Sequence, residues 1–374
     1  MRSNSLILPA LCVTGATVWF LVCGARADDA AAPPVPALPW LHEGLQLTYS
    51  GGSSRTPAGG ATEGDRGAAG MGYQTLTIVR IDGEKIIVSG RNFNTVEQGS
   101  PPIPGPVTGY VWSVDQSEDT WIDPAKLAEM HETQRLKVTK LQWKMGDDSV
   151  DAIRLDTIKN GMAINRIYGL TTGLLLHLGS HNEAAEGDMK LATGDFISMR
   201  DLKVPWAAEP RPEALRSGHS LHFQGQVTTE LPGALPPPPV EFSTVFKVTA
   251  DGDGWLQAEQ TDTLSAPAGA PAVPAVANEV SGSSQFLGIW AGPKALAELK
   301  VGQQLDEDPV LKTKTIVSDV NPDTVSITES SSSAEIEFRY DLGTGICTAT
   351  RLLNKLLHSQ STMQLGQAPA PASP

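Results

Sequence analysis

The chain has 374 residues, and its 28 basic residues against 42 acidic ones give a formal net charge of −14. A chain this acidic is repelled by nucleic acid and by anionic lipid, so both are excluded as the main partner. The length is sufficient for two domains of ordinary size.

The first 27 residues predict a cleavable secretory signal. Arg2 supplies a positive charge before an apolar stretch over residues 6–22, which is short for a membrane span. Ala25-Arg-Ala27 follows as a small-x-small cleavage site, so the mature chain is expected to begin at Asp28. We therefore expect an exported protein, periplasmic or extracellular, that does not span a membrane once the signal is removed.

Two alternatives to this cleavage are a retained anchor and a lipoprotein signal that ends at Cys23. Val22 precedes that cysteine, at a position where lipoprotein signals carry a small residue. Cleavage after residue 27 leaves Cys347 as the single cysteine, so no disulfide within the chain is expected. The stability of the mature protein must then come from its hydrophobic cores.

An internal repeat organises the rest of the chain. Four landmarks recur in the same order at an offset of about 170 residues, which indicates a tandem duplication. The pairs are Gly44-x-x-Leu47-x-Tyr49 with Gly218-x-x-Leu221-x-Phe223; Thr75, Val79 and Asp82-Gly83 with Thr244, Val248 and Asp251-Gly252; Trp121-x-x-Pro124-x-x-Leu127 with Trp290-x-x-Pro293-x-x-Leu296; and Tyr168-x-Leu170-x-Thr172-Gly173 with Tyr340-x-Leu342-x-Thr344-Gly345.

The repeat predicts two domains, over residues 40–204 and 213–365. The Pro/Ala-rich segments that flank them are expected to be extended or mobile; they are residues 28–39, 205–212 and the tail 366–374. Low-complexity stretches inside each domain are interpreted as surface loops, over residues 51–70, 101–106, 236–239 and 266–277.

Each copy is predicted to be mainly antiparallel β, a half-barrel or sandwich-like domain with one short helix. Asp82-Gly83 and Asp251-Gly252 predict two-residue hairpin turns. Residues 335–340 alternate charged and apolar side chains, as in a strand with one face in the core and one in water. Gly173 and Gly345 are expected to adopt a left-handed conformation in a turn.

The short helix is predicted after the tryptophan that the two copies share. Pro124 and Pro293 suit the first helical position, where no backbone N–H is needed. Trp121 and Trp290 are expected to pack this helix on its sheet, as core residues without a chemical role.

Signatures of catalysis are missing from the sequence. There is no Gly-x-Ser-x-Gly, no phosphate-binding Gly-x-x-x-x-Gly-Lys-Ser/Thr, no His-Glu-x-x-His and no Cys-x-x-Cys. We therefore expect a protein that is not an enzyme, and we assign no catalytic, cofactor or metal residue.

The best metal candidates are His177 and His181, with Glu183 and Asp188 nearby. On a strand, two residues four apart share a face but lie about 13 Å from each other, so only a bend could bring both rings to one ion. The preferred interpretation is a solvated strand end.

Other titratable clusters also have structural explanations. His219 and His222 are interpreted as ordinary strand histidines, and Cys347 as a small buried hydrophobe rather than a nucleophile. Turn chemistry explains the remaining aspartates, which lack the glutamate of a calcium loop: Asp147, Asp148, Asp151, Asp251 and Asp253.

The repeat resembles the lipoprotein-carrier-like half-barrels of bacterial envelopes. Their Gly-x-x-Leu-x-Tyr opening is matched by Gly44 to Tyr49 and, with Phe223, by the second copy. Their late Asp-x-x-Thr-Gly turn is matched at Asp341 to Gly345, whereas Gly169 replaces the aspartate in the first copy. The resemblance implies that an acyl chain or another apolar ligand binds in a concave sheet. We expect the ligand to lie beneath the short helix that begins at Pro124 or Pro293. Since aromatic residues are only 6% of the chain, the sheet is expected to line it mostly with Leu, Ile and Val.

Two functions remain open from the sequence. One is a non-catalytic envelope or extracellular protein that binds an apolar small molecule or a protein partner, without a cofactor. The other is a secreted hydrolase that uses a pair of carboxylates in loops, taken from Asp147, Asp148, Glu183 and Asp188.

Overall fold

The computed structural model describes residues 38–56, 70–95, 101–113, 120–159, 162–182, 189–230, 233, 235–265 and 275–366. All of them belong to one compact unit. The predicted signal, most of the first linker and residues 367–374 of the tail lie outside the described residues. Within the described part, no helix has the length and apolar character needed to cross a membrane.

The protein is mainly β, as predicted, and its strands form two antiparallel sheets. The first sheet has the described order β4-β3-β2-β1-β9-β8-β7-β6-β5. Its strands are β1 (Leu45–Thr56), β2 (Gly70–Asp82), β3 (Lys85–Thr95), β4 (Ile103–Ser113), β5 (Leu136–Met145), β6 (Asp148–Lys159), β7 (Met162–Gly169), β8 (Leu175–Asn182) and β9 (Met189–Asp201).

The second sheet has the order β13-β12-β11-β10-β19-β18-β17-β16-β15-β14. Its strands are β10 (Ser220–Thr229), β11 (Val240–Gly252), β12 (Trp255–Leu264), β13 (Ala275–Gly282), β14 (Gln304–Asp308), β15 (Thr313–Val320), β16 (Thr324–Ser330), β17 (Ala334–Asp341), β18 (Cys347–Asn354) and β19 (Ser359–Leu365). Apart from the extra edge strand β14, the order repeats that of the first sheet. The two halves of the chain therefore share one topology.

A short α-helix follows the fourth strand of each sheet, α1 (Pro124–Glu129) and α2 (Pro293–Leu296). Each helix begins at its proline, as predicted, and the tryptophan before it is buried. Trp121 and Trp290 each form an isolated bridge, to Leu174 and Ile346. The repeated tryptophans thus occupy equivalent positions and fasten the helix to its sheet.

In each half, the segment between the tryptophan and the helix packs against the Thr-Gly turn. Gly173 and Gly345 have φ values of 69° and 73°, the left-handed conformation that was predicted. A β-carbon on Gly173 would lie 1.9 Å from the Ile122 carbonyl oxygen, and one on Gly345 would lie 2.0 Å from that of Ala291. Only glycine fits here, because a side chain would meet the backbone that docks on the turn.

Two details of the predicted strands and turns are corrected. Asp82 pairs with Lys85, so the hairpin of the first sheet turns at Gly83 and Glu84, and Gly83 has φ 59°. Gly252 pairs with Trp255, so the hairpin of the second sheet turns at Asp253 and Gly254, and Gly254 has φ 74°. Both turns therefore lie further along the chain than predicted, by one and by two residues. Three predicted loops are also partly strand, because β1 continues to Thr56, β4 begins at Ile103 and β13 begins at Ala275. The prolines of β4 are tolerated because this strand lies at a sheet edge, where they need not donate.

The segment 205–212 is packed rather than loose. Trp206 is 1% exposed and belongs to a core of the second half. The Glu209 carboxylate accepts hydrogen bonds from the backbone N–H groups of Lys294 and Ala295 in the first turn of α2. The expectation of an extended or mobile linker is wrong here, because one large apolar side chain anchors the segment.

An apolar cluster built from both sheets joins the halves. Val79 and Ile87 of the first sheet pack with Trp255 and Val280 of the second. The Trp255 indole N–H donates to Asp82 at 2.9 Å across this contact. The outer face of the first sheet therefore lies against the second half, and this arrangement positions the site described next.

Candidate functional site

A cavity of about 240 Å³ lies on the concave face of the second sheet. Seven apolar side chains from the strands and the segment before α2 form much of its wall: Phe223, Phe246, Leu287, Ile289, Phe338, Leu352 and Met363. The opposite wall is polar and comes from the outer face of the first sheet, with Gln46, Thr75, Thr77, Ser89 and Arg91. The cavity is thus apolar on one side and polar on the other.

The lining differs in two respects from the sequence-based expectation. Five phenylalanines contribute alongside the aliphatic residues, and residues of α2 are not among the lining. The segment 285–289, which precedes the helix, lies against the cavity instead. Leu287 in this segment has φ 57°, a conformation that residues other than glycine rarely adopt.

The strand register explains why the second sheet has room for a cavity here. In the first sheet Ile86 pairs with Trp112 and Val88 with Tyr110. The equivalent pairs in the second sheet are Leu256 with Ser281 and Ala258 with Glu279. Two large aromatic side chains are therefore replaced by a serine and a glutamate at the same positions of the shared scaffold.

In the first half these aromatic rings fill the concave face. Tyr110 and Trp112 stack with their ring centroids 5.6 Å apart, and Trp112 meets Trp121 edge-on at 5.4 Å. Trp40 packs against Trp121 from the other side, at 5.8 Å. All four aromatic residues belong to or pack against the main core of that half. Each aromatic side chain of this kind buries about 150–250 Å² of surface.

A connected polar group marks one end of the cavity in the second half. The Ser281 hydroxyl hydrogen-bonds to the Glu279 carboxyl and accepts from the backbone N–H of Ile289 at 3.0 Å. The amide nitrogen of Gln285 donates to Ser281 at 3.4 Å. The Gln285 carbonyl oxygen is buried without a hydrogen-bond partner among the described residues.

Glu279 is an unusual carboxyl group, since it is only 7% exposed. Burial is the main cause that raises its pKa to about 8, and the negative charge of Asp262 adds to the effect, while the Ser281 hydrogen bond opposes it. At neutral pH the group is therefore mostly protonated. A neutral carboxyl of this kind can donate a hydrogen bond. A bound cation would stabilise its carboxylate form and so favour loss of the proton.

Ion pairs between the halves line another part of the cavity wall. Arg200 of β9 holds the Asp306 carboxylate with two bonds of 2.8 Å and reaches Asp308 at 3.2 Å. Arg91 of β3 pairs with Glu329 at 2.9 Å. These two arginines come from the first sheet and the three carboxylates from the second, so each of these carboxylates has a cationic partner across the contact between the halves.

Cys347 also lines the cavity, but its thiol has low reactivity. The residue is 1% exposed, and burial raises the pKa of its thiol to about 12. The thiolate that would act as a nucleophile is therefore nearly absent at neutral pH. This placement agrees with its interpretation as a small buried hydrophobe.

The histidine candidates lie away from this cavity lining. His177 Nδ1 lies 2.7 Å from Asp195 and its ring is 5.3 Å from that of Trp143. His219 is held by the Ala214 carbonyl at 2.6 Å. His181 and His222 are on strands β8 and β10, and Glu183 and Asp188 lie outside the described residues.

The aspartate candidates serve turns and ion pairs. Asp147 and Asp148 lie at the β5–β6 hairpin, and Asp151 accepts a hydrogen bond from Gln142. Asp251 pairs with Arg211 at 2.6 Å and Asp253 pairs with Arg80 at 3.0 Å. Among the described residues, no three of the His, Cys, Asp and Glu side chains are arranged to hold a metal ion.

Sequence reasoning missed Glu279, Ser281 and Gln285. A signal for the first two was present, because an offset of 169 residues places them opposite Tyr110 and Trp112, in the same register that relates Trp121 to Trp290. Reading the repeat for its differences, rather than for shared residues, would have identified them.

Comparisons with known proteins return only weak likenesses. No protein family and no curated protein matches the chain. A crystal structure of MucB in complex with MucA(peri) is 14% identical and covers 86% of this chain and 89% of its own, with a TM-score of 0.20. MucB alone is 12% identical over 86% and 88%, at 0.21, and the Pseudomonas aeruginosa MucA/MucB complex is 12% identical over 86% and 89%, at 0.20. These TM-scores are too low for any property of those proteins to be assigned to this chain.

Proposed function

We propose that this chain is an exported, non-catalytic binding protein of the envelope or extracellular space, whose second half holds an apolar ligand. The cavity in the second sheet carries the proposal. Its wall of phenylalanine, leucine, isoleucine and methionine side chains would remove the apolar surface of a ligand from water. Its few polar groups are gathered at defined places. This combination is typical of sites that bind and orient a small molecule.

The difference between the halves supports binding over simple packing. One half fills its concave face with stacked aromatic rings, whereas the other carries Ser281 and Glu279 at the same positions. Protein interiors are close-packed, and an empty apolar space costs stability in proportion to its volume. A bound ligand would restore the lost contacts in the second half.

Native mass spectrometry of protein purified from its own host tests this proposal. We expect a retained adduct of lipid size on the mature chain. Leu352→Trp places a large ring in the cavity wall and should remove the adduct. Val276→Trp is the matched control, because Val276 is 62% exposed on β13 and should leave the adduct in place.

Two results would overturn the proposal. One is a clean mass for the unmodified protein that stays clean after incubation with amphiphiles. The other is an adduct that survives Leu352→Trp while circular dichroism shows the variant to be folded.

A further inference from the structure

The polar end of the cavity indicates which head group its ligand carries. Most carboxylates of the wall already have cationic partners, since Glu329 pairs with Arg91 and Asp306 with Arg200. Glu279 is different, because no arginine, lysine or histidine forms an ion pair with it among the residues that the structure describes. One carboxyl group of the cavity is thus left to be matched from outside the chain.

The surroundings of Glu279 favour a positive ligand. Asp262 on the neighbouring strand β12 adds negative charge, and its own carboxylate accepts hydrogen bonds from Thr244 and Gln260. Two nearby carboxyl groups resist ionising together unless a cation compensates them. The other titratable groups near Glu279 are Tyr340 and Cys347, and burial raises the pKa of both, so they stay neutral and offer no cation.

A second group at the same end lacks a donor. The Gln285 carbonyl oxygen has no hydrogen-bond partner among the described residues, although the residue is only 6% exposed. Gln285 is linked to Glu279 through Ser281, and both line the cavity. A buried acceptor left unpaired costs free energy, so a ligand with hydrogen-bond donors gains by reaching it.

We propose that the cavity of the second half selects amphiphiles whose apolar stem ends in a primary ammonium group, held by Glu279 and Gln285. An ammonium group has three N–H donors and no acceptor, which suits an amide oxygen without a donor and a carboxylate that receives a hydrogen bond from Ser281 but has no cationic partner among the described residues. This inference rests on the proposed function, since it names the head group of the ligand that the same cavity binds.

Binding moves a proton in a defined direction. At pH 7 the Glu279 carboxyl carries its proton, and the incoming ammonium favours the carboxylate, so the proton passes to the buffer. About one proton should be released for each ammonium bound. Below pH 8 the affinity should rise about tenfold for each unit of pH, because the charged carboxylate becomes available.

Isothermal titration calorimetry of the mature protein with octylamine, octanol and octanoate tests the inference. The three probes share one apolar chain and differ in the head group. We expect octylamine to bind at least about tenfold more tightly than octanoate at pH 7, as charge-assisted hydrogen bonds predict. Repeating the titration in buffers of different ionisation enthalpy measures the released proton.

Glu279→Gln should lower the octylamine-to-octanol affinity ratio about tenfold and remove its pH dependence. Glu259→Gln on the exposed face of β12 is the matched control and should leave both unchanged. Equal binding of octylamine and octanoate, or preference for octanoate, would overturn the inference while sparing the proposed function. Failure of all three probes, together with the absence of an adduct from the host, would overturn both.

Discussion

The two halves of this protein share a scaffold but use their concave faces differently. Strand order, the proline-started helix, the buried tryptophan and the left-handed glycine are the same in both. In the first half Tyr110 and Trp112 close the concave face, whereas Glu279 and Ser281 leave space in the second. The cavity therefore lies in the half whose strand lacks these two aromatic side chains.

The outer faces of the two sheets also differ. Val79 packs against the second half, together with Trp255, whereas Thr249 is at its position in the second sheet, since each is the extra residue of a bulge between its strand and the next. The outer face of the first sheet thereby becomes a wall for the cavity of the second. A repeated sequence therefore need not imply that each copy works alone.

The largest expected effect comes from the tryptophan that both halves retain. Trp290→Ala should lower the free energy of unfolding by about 3–5 kcal/mol, because it removes a large buried ring and leaves a cavity. Urea denaturation followed by circular dichroism measures this loss. His177→Ala should cost clearly less, since His177 contacts a half-exposed Asp195. The opposite ranking would contradict the assignment of the tryptophan to the core.

A cavity created in the first half would test directly whether its aromatic residues account for the difference between the halves. Trp112→Ser places the residue of the second half at the equivalent position, and we expect a loss of about 3 kcal/mol, the lower end for a buried tryptophan. The variant should also gain binding of an apolar fluorescent probe, in addition to that of the native protein. Unchanged probe stoichiometry would show that the remaining aromatic rings collapse into the space.

The contact between the halves is expected to have a smaller effect. Arg200→Gln leaves Asp306 and the buried Asp308 without their cation, and should cost about 1–3 kcal/mol. Arg154→Gln is the control, because the Arg154 to Asp156 pair is more exposed than the Arg200 pairs and should contribute less than about 1 kcal/mol. Equal losses in the free energy of unfolding of the two variants would indicate that the ion pairs between the halves contribute no more to stability than the Arg154 pair does.

The last effect is a slope in the pH dependence of stability rather than a loss at one pH. Glu279 has its pKa raised from 4.5 to about 8 in the folded state, so the unfolded chain ionises first as the pH rises. Stability should fall between pH 4.5 and about 8, by at most about 1.4 kcal/mol per pH unit, and level off above that. Glu279→Gln should flatten this decline relative to Glu259→Gln. A decline that persists in the variant would place its origin in another group.

Much of the fold could be predicted because it depends on local chemistry and on repetition. Glycine is required where φ is positive, as at Gly173, and proline begins a helix without losing a hydrogen bond, as at Pro124. The alternation over residues 335–340 predicted β17, although Ile336 and Phe338 are only partly buried, because they line a cavity rather than a filled core.

The site could not be found in this way, because it depends on which surfaces meet. The apolar wall comes from one sheet and the polar wall from the other, over sequence separations that no local pattern encodes. The burial that raises the pKa of Glu279 is likewise a property of the packed protein. In the sequence alone, Glu279 is an ordinary charged residue on a strand.

The antiparallel strands, the two tryptophan-anchored helices and the repeated order of these elements follow from the amino-acid sequence, since turn chemistry, side-chain alternation and self-similarity are local or periodic signals. Three other features depend on the packing of distant segments: Trp206 anchors the linker, the first sheet covers the second, and Tyr110 and Trp112 fill a space which Glu279 and Ser281 leave open. The physical reason is that packing depends on volumes and charges brought together from distant parts of the chain.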